Sequence, residues 1–168
     1  VVVQEVQPTL RSLARSLSEE KPQALHIVAH GSYDAKAGGS LALEDEYGAT
    51  HRVPAGEFAS QVADTGSGLV VLSSCESGAG EGVRGLQGVG HALLRAGVPA
   101  VVAMQYTVPG VTANRLSGEI YQAHSTGASL DSAVALARRT LAADPHLGPV
   151  DWAIPVLYMQ TDEWSAPA

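Results

Sequence analysis

The sequence predicts an α/β fold in which a largely parallel central sheet lies between two layers of helices, a three-layer α/β/α sandwich. Short apolar segments alternate with segments of helical periodicity along the whole chain. Most of the apolar segments are continuous, which is typical of strands buried on both faces of a parallel sheet. Apolar residues make up 45% of the 168 residues and charged residues only 16%, so the chain can bury one substantial core.

The first half of the chain is predicted to hold two helices, one buried strand and a hairpin. Leu10, Leu13 and Leu17 are spaced three and four apart, and Pro22 ends the helix that this spacing predicts. The continuous apolar run before His30 predicts a strand buried on both faces. The predicted elements are a helix over 9–20, a strand over 25–29, a hairpin formed by 40–43 and 49–53, and a helix over 57–63 that follows Pro54.

The second half of the chain is predicted to alternate strands with helices. A glycine-rich loop over 76–85 is expected after the first of these strands. Pro155 places the last strand at a sheet edge or gives it an irregular start. The predicted elements are a strand over 69–72, a helix over 86–96, a strand over 98–103, helices over 113–125 and 130–142, and a strand over 153–159.

Composition and charge bear on the partners and the compartment. The net charge is −7, from 17 acidic and 10 basic residues, and such a surface repels phosphate backbones, so no nucleic acid partner is expected. The longest apolar run, 98–104, is far shorter than the ~20 residues of a membrane span, so no membrane partner is expected. A single cysteine excludes an intramolecular disulfide, which fits a reducing, cytoplasmic location or simply a chain that needs no disulfide.

The chain is expected to form one domain over 1–168. No interdomain linker, internal repeat or low-complexity tract interrupts the pattern. The first residues, 1–5, lack the basic region of a signal peptide and read as a strand already under way. The domain is therefore expected to be a piece of a longer protein.

Two chemically important residues follow predicted strands. His30 comes after the strand over 25–29, and Cys75 comes after the strand over 69–72. Ligands bind outside the carboxyl ends of parallel strands, so the two side chains are expected at one sheet edge. A thiol is a weak nucleophile until a base such as histidine takes its proton, and the N–H of Gly31 can serve as an oxyanion donor. Taken singly, the cysteine could be inert core and the histidine a satisfied polar residue.

The segments that carry these residues resemble the caspase-like cysteine peptidases, and in detail the CHAT domains, a group related to separase and often joined to tetratricopeptide repeats. The similarity covers about 9–160, and the 45 positions between His30 and Cys75 fit the caspase-type spacing of about 50. The matching segments are 25–31 (LHIVAHG), 70–78 (VVLSSCESG), 80–86, 93–103 and 151–157.

This resemblance implies a cysteine endopeptidase that cleaves protein or peptide substrates through a thioester acyl-enzyme. It implies that His30 is the catalytic histidine, that Cys75 is the nucleophile, and that the backbones of Gly31 and Cys75 are oxyanion donors. It also implies control by an adjacent regulatory module or partner protein. One segment departs from the family pattern, because 104–110 lacks the tryptophan and the acidic residue that relatives often carry there.

Substrate contacts are expected from acidic residues near the pair. Asp34 and Glu76 lie close to His30 and Cys75 in the sequence, and either carboxylate would favour Arg or Lys as the P1 residue, the one that precedes the cleaved bond. The alternative for both is a salt bridge or a capping contact.

Other chemistries find weaker support. The glycine pattern over 80–85 matches a dinucleotide-binding loop, but the stretch around Gln105 lacks the acidic residue that this site requires. Arg84 is too far from Cys75 for a phosphatase loop. No cofactor or metal is expected, since the remaining histidines show no close ligand spacing: His26, His51, His91, His124 and His146. The alternative to a peptidase is a catalytically silent caspase-like module that binds partner proteins, and the intact His–Cys pair favours the peptidase.

Overall fold

The computed structural model describes residues 9–73, 81–105 and 109–160, with the backbone alone described over 81–86. Within these residues each predicted helix and strand is confirmed, several with shifted ends, and β2 and a short 3₁₀ helix are additional. The strand expected over 1–5 lies outside the described residues. The elements are α1 (Leu10–Glu20), β1 (Ala24–Val28), β2 (His30–Asp34), β3 (Gly38–Glu44), β4 (Thr50–Pro54), α2 (Ala55–Ala63), β5 (Leu69–Ser73), α3 (Glu81–Arg95), β6 (Ala100–Met104), α4 (Gly110–Ser125), α5 (Leu130–Ala142), the 3₁₀ helix (Asp151–Ala153) and β7 (Pro155–Met159).

The central sheet has four strands in the order β1-β5-β6-β7. β1, β5 and β6 are parallel, and their register places Val28 opposite Ser73. β7 runs antiparallel to β6 at the edge and begins at Pro155, opposite Met104. The prediction of a largely parallel sheet is confirmed, and the carboxyl ends of its three parallel strands lie at one edge.

A second sheet contains three antiparallel strands in the order β2-β3-β4. β3 and β4 are the predicted hairpin, whose turn is closed by Asp45, since its Oδ1 accepts the N–H of Tyr47 at 2.8 Å and of Ala49 at 2.9 Å. β2 follows β1 after Ala29 and pairs with β3. Its sequence, HGSYD, has no alternation of apolar and polar residues that would predict a strand. It is a strand because it pairs with β3.

Helices cover both faces of the central sheet. On one face α1, α2 and α3 pack with the hairpin around a core that includes Leu41 and Phe58. On the other face α4 and α5 pack around a core that includes Leu116 and Leu141. Alternate residues of β5 and β6 enter the two cores, so both strands are buried at all five positions. The three-layer sandwich is confirmed, and none of its described helices is long and apolar enough to cross a membrane.

β1 departs from the expected burial on both faces. Leu25 and Ile27 pack against the core on the α1–α3 side, whereas Ala24, His26 and Val28 are exposed. For Val28 the exposed fraction is 59%. β1 is the edge strand of the described sheet, so it has a neighbouring strand on one side alone. A continuous apolar run occurs here in a strand with one buried face as well as in strands with two, so the run alone does not tell them apart.

α3 begins at Glu81, earlier than predicted, and takes in part of the segment expected to be a glycine-rich loop. The weak helix preference of glycine is a prior that packing overrides, and α3 packs along β2, β3, α2 and β6. One glycine permits this packing directly. A Cβ at Gly88 would lie 3.0 Å from the Cα of Gly39, so α3 approaches β3 at a distance that a larger residue would prevent.

Candidate active site

His30 lies at the junction of the two sheets, directly beyond the carboxyl end of β1. It is exposed, is the first residue of β2 and pairs with Ala42 of β3. The N–H of Ala29 donates to the carbonyl of Ser73 at 3.1 Å, which extends the pairing of β1 with β5 to the residue before His30. β1 and β5 are therefore adjacent and parallel, and His30 directly follows Ala29, which makes the last backbone bond described between the two segments.

Cys75 and Glu76 lie outside the described residues. Cys75 follows Ser73, the last residue of β5, by two positions in the sequence. Its assignment as nucleophile and oxyanion donor, and that of Glu76 as a substrate contact, stay predictions. The same holds for the role of His30 as base, although its location is now defined.

Gly31 and Asp34 lie on β2, the strand that leads away from the candidate site. Gly31 is half-buried opposite Leu41. Asp34 ends the strand, and its Oδ1 accepts the N–H of Ala37 and the N–H of Lys36, both at 2.8 Å. These hydrogen bonds hold the pKa of the Asp34 carboxyl below its ordinary value, so it is ionised at neutral pH. Asp34 thus closes a turn, and its role as a substrate contact stays a prediction.

Asp34 also lines a cavity of about 390 Å³ on the face of the three-stranded sheet. The other polar side chains of the lining come from Ser32, Tyr33, Ser40 and Arg52. The hydroxyls of Ser32 and Ser40 lie 2.6 Å apart and bond to each other. The cavity therefore presents one carboxylate and one guanidinium.

The end of β6, at the same sheet edge, is tied to the segment before β7. The backbone N–H of Gln105 donates to the carbonyl of Ile154 at 2.9 Å, and its side-chain Nε2 donates to the carbonyl of Ala153 at 2.6 Å. In the same segment the carboxylate of Asp151 accepts the hydroxyl of Thr112 at 3.1 Å. Gln105, in the stretch that departs from the family pattern, therefore joins the end of β6 to the segment before β7.

The structure gives His26, one of the histidines without close ligand spacing, a defined partner. Its Nε2 lies 3.0 Å from the Oγ of Ser73, and its ring centroid lies 5.9 Å from that of Tyr121 on α4. Although the residue is partly exposed, burial of part of the ring lowers the pKa of His26, so the imidazole is neutral at neutral pH. The sequence pattern alone could not reveal this contact, because it gives strand positions without the register between β1 and β5.

Two further histidines have structural contacts. The Nδ1 of His124 lies 2.8 Å from the carbonyl of Ala128, and the ring of His91 meets that of Tyr158 edge-on at 5.1 Å. Within residues 9–73, 81–105 and 109–160, no three His, Cys, Asp or Glu side chains are grouped so as to hold a metal ion.

Comparison with protein families agrees with this architecture. The model of the CHAT domain matches residues 2–160, nearly the whole chain. A search of curated proteins found no match. CHAT domains are caspase-like, and a largely parallel sheet with helices on both faces fits that fold. From the extent of the match and this agreement in fold, the chain belongs to the CHAT domain family, within the caspase-like proteins.

Proposed function

We propose that this domain is a cysteine endopeptidase in which Cys75 is the nucleophile and His30 is the general base. The observation that carries the proposal is the pairing of β1 with β5, whose last described backbone hydrogen bond joins Ala29, the residue before His30, to Ser73. Residues just beyond neighbouring parallel strands meet at the sheet edge where α/β folds bind ligands. An imidazole at this place is suited to take the proton from a thiol that follows β5.

The proposed reaction begins when His30 accepts the thiol proton of Cys75 and the sulfur attacks the carbonyl carbon of the scissile peptide bond. The carbonyl oxygen becomes an oxyanion, which accepts hydrogen bonds from the N–H groups of Gly31 and Cys75. When the carbon–nitrogen bond breaks, the imidazolium of His30 protonates the leaving amine, and a thioester to Cys75 remains. His30 then takes a proton from water, which hydrolyses the thioester, and the imidazolium returns that proton to the thiolate.

Asp34 or Glu76 is proposed to contact the substrate and to favour Arg or Lys at P1. Asp34 is ionised at neutral pH and lines a cavity on the strand that begins with His30. A charge-assisted hydrogen bond to a basic side chain is about twice as strong as a neutral one. Arg52 lines the same cavity and would repel a basic side chain, so its distance from the bound P1 group decides how strong the preference becomes.

Activity is proposed to depend on a neighbouring module or a partner protein. The resemblance supports this, because CHAT domains are often joined to tetratricopeptide repeats. A cytoplasmic location is proposed as well, since a nucleophilic thiol must stay reduced. Regulation is tested by comparing turnover by this chain with turnover by the natural protein bound to its partner, at equal concentrations of labelled active sites. Equal rates would contradict the dependence on a partner.

A covalent label on the single cysteine tests the peptidase proposal before any substrate is known. Cys75 is the one cysteine of the chain, so a gain in mass after treatment with iodoacetamide or a peptidyl chloromethylketone reports this thiol alone. We expect rapid labelling of the parent and slow labelling of the His30→Ala variant, and we expect the natural protein bound to its partner to cleave peptides of a positional-scanning library. Labelling that His30→Ala leaves unchanged would overturn the dyad. Rapid labelling without any cleavage by the partner-bound protein would instead favour the silent binding module.

A further inference from the structure

Side chains secure the pairing of β1 with β5 at both of its ends. At the amino end, the hydroxyl of Ser67 donates to the carbonyl of Pro22 at 2.8 Å. At the carboxyl end, the Nε2 of His26 lies 3.0 Å from the Oγ of Ser73. The two serines are buried alike, with 3% of Ser67 and 2% of Ser73 exposed. They therefore form a natural pair for comparison, since each holds one end of the same two strands.

The two contacts differ in what they require of the sequence. Ser67 bonds to a backbone carbonyl, which any residue in place of Pro22 would also offer. The contact of His26 with Ser73 needs two particular side chains, and it adds to the backbone bond that Ser73 accepts from Ala29. Ser73 thus contacts the interior of β1 through its side chain, and through its backbone carbonyl it bonds to Ala29, the residue directly before His30.

The imidazole of His26 is itself held in place and uncharged at neutral pH. Its ring contacts that of Tyr121, and burial raises the pKa of Tyr121 to about 12, so the phenol also stays neutral. Burial lowers the pKa of His26. A neutral imidazole has one N–H and one lone pair, so Nε2 can donate to the Ser73 hydroxyl or accept from it, according to the tautomer.

We infer that His26 and Ser73 are positioning residues of the candidate active site, because their hydrogen bond fixes the end of β5, the strand that Cys75 follows in the sequence, relative to β1, the strand that His30 follows. The inference rests on the proposed function. In the sequence, Cys75 follows Ser73 by two positions and His30 follows His26 by four, so the bond joins residues that shortly precede each member of the proposed dyad. A displacement of about 1 Å between reacting groups is enough to lower a rate by about 100-fold, so a small movement of the β5 end matters.

The experiment measures the rate constant for alkylation of Cys75 by iodoacetamide as a function of pH, which gives the apparent pKa of the thiol. Ser73→Ala and His26→Leu each remove the hydrogen bond. His26→Gln is the conservative variant, since its side-chain amide can bond to Ser73. Ser67→Ala is the matched control, a buried serine at the far end of the same strands. The thermal midpoint of unfolding, followed by circular dichroism, is measured for every variant.

We expect Ser73→Ala and His26→Leu to raise the apparent pKa of the Cys75 thiol. A rise of about one pKa unit lowers the thiolate fraction, and hence alkylation at neutral pH, by about tenfold. His26→Gln should restore most of the rate. Ser67→Ala should lower the thermal midpoint and leave the alkylation rate at the parental value. Parental rates in Ser73→Ala, or an equal loss of rate in Ser67→Ala, would overturn the inference.

A fifth variant separates failure of the inference from failure of the proposed function. If His30→Ala slows alkylation while Ser73→Ala and His26→Leu do not, the dyad is supported and the positioning role alone is rejected. If His30→Ala leaves alkylation unchanged, the dyad is rejected and the positioning role with it. Should Ser73→Ala fail to fold, the comparison of His26→Leu with His26→Gln decides, since rescue by Gln supports the hydrogen bond and equal rates reject it.

Discussion

β1 and β5 lie side by side in the central sheet, yet they are buried to different degrees. All five residues of β5 are buried, because β1 and β6 flank it and helices cover both of its faces. β1 has β5 on one side and exposes Ala24, His26 and Val28. The open face of an edge strand tolerates polar side chains, whereas a central strand makes them costly. In the proposed site the base therefore follows the accessible strand, and the nucleophile follows the buried one.

The largest expected effect comes from removing the groups that follow these two strands. Cys75→Ala and His30→Ala should each abolish nearly all peptide cleavage, a loss of about 1,000-fold or more in kcat. The double variant should be little worse than either single one, because the two groups act as a unit. Turnover is measured with the best substrate found in the peptide library.

His91→Ala and His124→Ala are the controls for this prediction. Both histidines have structural contacts, with Tyr158 and with the carbonyl of Ala128, so their variants should keep most of the activity. Substantial turnover by Cys75→Ala would show that the nucleophile lies elsewhere and would remove the functional difference drawn between the two strands.

Matched valine substitutions test the difference in burial directly. Val71 on β5 is 1% exposed and Val28 on β1 is 59% exposed. Val71→Ala should lower the free energy of unfolding by about 2 kcal/mol, since it removes buried methyl groups and leaves a cavity. Val28→Ala should change it by less than about 0.5 kcal/mol. Both lie in strands, so intrinsic strand preference largely cancels. Equal losses in the free energy of unfolding, measured in urea, would contradict the exposure of Val28 on β1.

The sequence pattern predicted which segments form helices and strands better than it predicted how the strands pair and where they lie in the sheet. Apolar runs and leucine spacing were sufficient for the helices and the buried strands, because burial dominates their stability. β2 was not predicted, since HGSYD becomes a strand through its pairing with β3. The exposed face of β1 was missed for a related reason. Whether a strand is central or at an edge depends on sheet order, which no local pattern contains.

The candidate site was predictable in its chemistry and less so in its supporting contacts. His30, Gly31 and Cys75 could be proposed from residue type and position after a strand, together with the family resemblance. The contact of His26 with Ser73 could not, because it depends on a register that pairs Val28 with Ser73. Long-range side-chain contacts of this kind follow from the packed structure and leave no periodic signal.

The segments that follow β1 and β5 each contain a carboxylate that could set the preference for the P1 residue. If Asp34, on the strand that follows β1, contacts a basic P1 residue, Asp34→Asn should lower kcat/KM for Arg substrates about tenfold relative to norleucine substrates. If the contact comes from the exit of β5, Glu76→Gln should do so instead. Asparagine keeps a side-chain oxygen for the N–H groups of Ala37 and Lys36, so the turn is retained. A parental preference for Asp or apolar P1 residues would reject both.

The smallest expected effect concerns how the free energy of unfolding depends on pH. The two strands should differ here, because β1 contains the titratable side chain of His26 and β5 (LVVLS) contains no titratable side chain. Burial lowers the pKa of folded His26 below its ordinary value of 6.5, and its described neighbours Ser73 and Tyr121 are neutral. Below pH 6.5 the unfolded chain therefore binds a proton more readily than the folded one. The free energy of unfolding should then fall as the pH drops below 6.5.

His26→Gln removes this titration, so it should lose less stability than the parent between about pH 7.5 and about pH 5.5 in urea unfolding. Val71→Ala is the control from β5. It should be less stable than the parent by the same amount at both pH values, because it removes no titratable group. Every other residue is the same in the parent and in each variant, so the contributions of those residues cancel in the comparison. An equal loss in the parent and in His26→Gln would mean that the imidazole is as well solvated in the folded chain as in the unfolded one.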